Sequence, residues 1–176
     1  MSNHTAVQRS VEEGTVRARV AFVLVIAERV IPLVQQDLRD RADAGLALSW
    51  KWVAGKPFDA EDLYERFTRV TEWEFKAASR LEKDAVLALE SAIYYACWQA
   101  FRAEKASGKP IEKGVPNDMA EGSERVATQV ADFIEKTEVD IAFAEALAER
   151  LVRQFPCSSP EELGPPIARH EVLPPL

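Results

Sequence analysis

The chain has 176 residues, 47% of them apolar and 29% charged, a mixture that excludes disordered and fibrous proteins and suits one ordered globule. Its formal net charge is −7, which argues against a nucleic-acid partner, because affinity for phosphate backbones comes from clustered Lys and Arg. Two cysteines, Cys97 in a dense apolar run and Cys157 in a Pro-rich tail, form no disulfide framework and point to a reducing compartment. The longest apolar run, Val20 to Ala27, has eight residues, against about 20 for a membrane span. Glu12, Glu13, Arg17 and Arg19 precede that run and Glu28-Arg29 follows it without a small-residue cleavage site, so it is no signal peptide. A cytoplasmic protein without a membrane partner is expected.

Glycine and proline punctuate the chain, since one loses most backbone entropy in a helix and the other lacks the N–H. Neither occurs over the 50 residues from Phe58 to Ser107 or the 33 from Ser123 to Phe155, stretches far too long for strands between turns. The expected fold is all-α: a single-domain multi-helix bundle of about six helices over residues 1–155, with an irregular Pro-rich tail over 156–176 that wraps the bundle or stays mobile.

The first helix is expected from about Val16 to Ile31, apolar all round and therefore buried, and Pro32 ends or kinks it. A second, about Asp37 to Ala54, sets Ala42, Leu46, Trp50 and Val53 on one stripe and stops at Gly55. Asp59 is the N-cap of a third, with Glu61 and Asp62 in its first turn, Phe58 positioned to staple onto Leu63, and the stripe Leu63, Phe67, Val70. The fourth, roughly Glu82 to Lys105, has two apolar faces, Val86-Leu89-Ile93-Cys97 and Leu87-Tyr94-Trp98-Phe101, as a central helix should. Ser123 caps a fifth bearing Val126, Val130, Phe133 and Ile134. Thr137, with Asp140 three residues on, resembles a capping box that opens a sixth, in which Phe143, Leu147, Leu151 and Phe155 recur every four residues.

Chemistry is sparse. The two histidines, His4 and His170, lie near the termini, so neither a paired-His zinc helix nor a Glu-x-x-His di-iron site can be assembled. Glu61, Asp62 and Glu65 could ligate a metal only as carboxylates, and acids at a helix start ordinarily serve the helix dipole. Cys97 between bulky apolar neighbours reads as inert core, and the seven glycines never cluster into a phosphate loop. No enzyme, metal or cofactor is expected.

What the sequence does concentrate is negative charge: residues 106–176 supply −6 of the −7. Acidic helix faces keep proteins soluble, and they also attract basic partners. The four tryptophans, Trp50, Trp52, Trp73 and Trp98, fall between residues 50 and 98 and read first as core. Trp50 and Trp52 are about 200° apart on a helix, which leaves one of them free to reach the surface. Trp73, between Glu72 and Glu74, is the candidate for an exposed aromatic anchor with an acidic rim.

The run Leu46-Ala47-Leu48-Ser49-Trp50-Lys51-Trp52-Val53-Ala54-Gly55-Lys56, then Asp62-Leu63-Tyr64, then Asp84 through Ala96 with Ala92-Ile93-Tyr94-Tyr95-Ala96, resembles the sixth immunity-protein family of bacterial polymorphic toxin systems over about residues 16–120. Ser49 stands where the family pattern has a cysteine. The resemblance implies a small helical protein that binds a cognate secreted toxin domain and protects the producing cell. An acidic helical surface suits a toxin with a basic groove, as in a nuclease. The expected contacts are Glu121, Glu124, Asp132, Glu135, Glu138 and Asp140, with Trp73 as anchor. A helical adaptor without a toxin partner and a carboxylate-metal enzyme are the alternatives from other classes.

Overall fold

The most apolar stretch of the chain forms helix α1, Val16–Val30, in which every residue from Val20 to Ala27 is buried. The computed structural model describes residues 7, 12–68, 79–109, 132–137 and 139–173. Thr15 caps α1, its hydroxyl accepting from the Ala18 N–H, and Pro32 sits in a 3-10 turn, Ile31–Leu33, that redirects the chain. Val and Ile lose rotamer freedom in a helix, a loss of tenths of a kcal/mol each that burial of the same side chains, about 1.5–3 kcal/mol each, outweighs.

Around α1 lie α2 (Gln36–Val53), α3 (Ala60–Thr68), α4 (Arg80–Ala106), α5 (Ile141–Gln154) and the short α6 (Arg169–Val172). Helix α1 packs against α2, α4, α5 and α6, while α4 packs against α1, α2 and α3. Two elements therefore share the centre, and α1 is the more completely enclosed. Among the described residues all regular structure is helical, apart from an isolated antiparallel bridge between Gly14 and Pro156.

The stripe Ala42, Leu46, Trp50, Val53 on α2 is buried as the periodicity requires, and Gly55 ends the helix with a φ of 66°. Asp59 accepts from the Glu61 N–H at 3.0 Å at the start of α3, and Leu63 is buried. On α4 the face Val86-Leu89-Ile93-Cys97 is buried, but its second covered face runs through Ala85, Ala88, Ala92, Tyr95 and Gln99. Leu87, Tyr94 and Trp98 are half-buried, and Phe101 is buried. Alanines on that face let a neighbouring helix axis come close, which larger side chains would prevent.

Two boundaries differ from expectation. Residues 132–136 are helical, and the Thr137 hydroxyl bonds back to the Phe133 carbonyl four residues earlier, closing that helix instead of opening the next. Asp140 is the true N-cap of α5, accepting from the Ala142 N–H at 2.9 Å. Of the residues expected in the third and fifth helices, Val70, Ser123, Val126 and Val130 lie outside the described residues.

After Pro156 the chain wraps the bundle through residue 173. Val16 N–H donates to the Glu162 carbonyl at 2.8 Å, Arg17 N–H to Leu163 at 3.1 Å, and Ile167 N–H to Val53 at 3.0 Å. The Arg17 guanidinium donates to the Gly164 carbonyl at 2.9 Å, and Arg19 and Arg150 donate to the carbonyls of Pro160 and Val172. Ile167 and Val172 are buried in the common core. Trp50 and Trp52 are both buried, 6% and 7% exposed, so neither is the freely exposed tryptophan that their spacing allowed. Arg17 lies 5.9 Å over the Trp52 ring, and α6 stands beside Trp50.

Candidate functional site

Three of the seven expected contact residues are described. Asp132 and Glu135 are exposed on the helical segment 132–136, and three-residue spacing makes them neighbours on one face. Asp140 is exposed too, but one of its carboxylate oxygens is engaged as the α5 cap. Glu121, Glu124, Glu138 and Trp73 lie outside the described residues.

A second acidic corner forms where the start of α3 meets the end of α4. Glu104 accepts from the Lys109 ammonium at 2.8 Å. That hydrogen bond, followed by the negative charges of Glu104, Asp59 and Glu61, raises the Lys109 pKa above its ordinary value. Composition by thirds of the chain misses this corner, because Asp59 and Glu104 are far apart in sequence.

The chemistry-bearing side chains are placed for structure. Cys97 is fully buried, its thiol facing the Ala60 carbonyl at 3.5 Å, and burial followed by the charge of Glu104 raises its pKa far above the ordinary thiol range. A thiol kept protonated is a poor nucleophile. Glu82 is buried and accepts from both the backbone N–H (2.8 Å) and the side-chain amide (3.1 Å) of Gln35, pinning the start of α2 to α4. Among the described residues no group of three or more His, Cys, Asp or Glu is arranged to hold a metal ion. No described helix is long and apolar enough to cross a membrane.

The arrangement that sequence reading missed is a cleft of about 700 Å³ between α2 and α6, lined by Leu46, Ala47, Trp50 and Ala54 and flanked by Asp43, Lys51, Lys56, Arg169 and His170. At its base Glu28 accepts from the Trp50 indole N–H at 2.7 Å and from Arg169 at 2.9 and 3.0 Å. One carboxylate thus fixes the indole and ties α6 to α1. A signal was present: Glu28 is an acid that directly follows eight apolar residues in a helix, and a buried tryptophan N–H needs an acceptor.

An all-helical scaffold with exposed carboxylates and an enclosed thiol places the molecule in a broad class, the acidic helical proteins. Its family is more definite. The chain matches the family described as Immunity protein Imm6 over residues 18–137 and belongs to it. This is the family indicated by the tryptophan-containing α2 and the Tyr-Tyr pair of α4, and the match extends beyond those motifs. Membership implies an immunity protein directed against a toxin, with a toxin protein as partner. No curated protein and no solved structure matches the chain.

Proposed function

We propose that this protein neutralises a cognate secreted toxin in the cytoplasm by stoichiometric binding, without catalysis, through its acidic helical surface. The observation that carries the reading is the family match over residues 18–137. Asp132 and Glu135, exposed on one helical face, and Asp140 nearby in the chain supply the contact charges, with Glu121, Glu124 and Glu138 extending the set and Trp73 as aromatic anchor. A toxin with a basic substrate groove, as a nuclease has, is the partner such a face fits. Opposite potentials speed encounter, and an acidic helix competes with phosphate for the same cations. The helical part, residues 1–155, carries this contact, and in the tail over 156–176 the described residues 156–173 brace it.

Co-purification with the product of the neighbouring gene tests the binding. Reversal of two charges, Glu135→Lys with Glu138→Lys, should slow association and weaken affinity about tenfold or more, most strongly at low salt. Unchanged affinity for a toxin that the native protein binds would remove the acidic-face mechanism.

A further inference from the structure

We infer that the cleft between α2 and α6 sets partner specificity by taking up a segment of the toxin that presents an acidic side chain beside an apolar or aromatic one. This rests on the immunity reading above and names the chemistry of a second contact with the same partner. A face of one sign attracts many basic proteins alike, so discrimination requires a contact of different character elsewhere.

The cleft has that character. In a chain of net charge −7, its rim carries Lys51 and Lys56, both exposed and neither in an ion pair among the described residues. Arg169 beside them is already held by Glu28. The floor is apolar, formed by Leu46, Ala47, Ala54 and the 6% of Trp50 that stays uncovered, and that indole cannot turn without losing its 2.7 Å bond to Glu28. At about 700 Å³ the space is within the 300–1,000 Å³ range of sites that enclose small groups. A carboxylate reaching Lys51 and Lys56 gains two charge-assisted contacts there, and a basic segment would be repelled by the same pair. Asp43 at the other end of the α2 wall disfavours an acid there, which orients the segment. The second wall, residues 168–170, lies outside the family match over 18–137, so the cleft is completed by a part of the chain that the family pattern does not include.

The test uses the full chain and the toxin domain encoded by the neighbouring gene. Lys51→Glu with Lys56→Glu should raise Kd at least tenfold, mainly through faster dissociation, at an unchanged melting temperature. A photo-crosslinking p-benzoylphenylalanine in place of Ala47 should capture a toxin peptide containing Asp or Glu next to an apolar residue. Affinity within twofold of the native protein overturns the proposal, as does capture of a basic peptide or of a second copy of this chain. Failure of the native protein to bind the toxin overturns the immunity reading itself, and the two failures are thereby told apart.

Discussion

Helix α1 from Val20 to Ala27 is enclosed by apolar side chains of its neighbours, whereas residues 156–173 are fastened to the start of the same helix by guanidinium groups and backbone carbonyls. Apolar contact is non-directional, so the α1 centre depends on volume and pattern. The strap adds to the buried Ile167 and Val172 a dependence on geometry at a few polar atoms. Arg17 and Arg19 stand in the first turn of α1, where the helix dipole disfavours cations, and the carbonyls of Gly164 and Pro160 accept from them there. The centre should therefore respond to lost volume and the strap to lost bonds or lost conformational freedom.

Three substitutions sharpen this contrast. Phe22, fully buried at the middle of α1, should give the largest loss: Phe22→Ala destabilises the whole fold by about 3–5 kcal/mol, seen as one cooperative shift in urea unfolding. If only part of the helical signal moved, the picture of one shared core would fail. Gly164→Ala comes second. Its φ of 76° disfavours a side chain by about 1–2 kcal/mol, and a Cβ there would meet the Thr15 side chain at 2.4 Å, so the strap must shift off the α1 cap. Faster amide exchange at Ile167 than in the α1 centre is expected, and equal acceleration in both would show that strap and core are a single unit. Arg169→Ala should be the mildest, at most about 1 kcal/mol, since the guanidinium is well exposed although Glu28 is mostly covered. Its readout is again Ile167 exchange, with the melting temperature nearly unmoved.

The same contrast explains how far the sequence could be read. Helix positions followed from apolar spacing and from Gly and Pro, and Leu46, Trp50, Leu89 and Ile93 fell where 3.6-residue periodicity puts them, because burial dominates there. The Thr137 boundary escaped because a threonine can cap forward or bond backward with similar chemistry, and only the neighbouring backbone decides. The burial of Trp52 escaped because Arg17, which lies over its ring and is itself held by the Gly164 carbonyl, comes from a distant part of the chain. For the site, the tryptophan-containing α2 and the Tyr-Tyr motif identified the family, while the cleft did not show. It is an alignment of Glu28, Trp50 and Arg169, brought together from three stretches of sequence by tertiary packing alone.

Trp50 held by Glu28 on one flank and Trp52 covered by Arg17 on the other mean that α2 cannot roll about its long axis without disrupting both. A helix fixed in that way is a ruler. Asp43, Ala47 and Lys51 recur every fourth position along it, so a negative mark, a blank and a positive mark stand about 6 Å apart along the axis, each turned about 40° from the last. Any molecule laid alongside meets the same graduated scale each time.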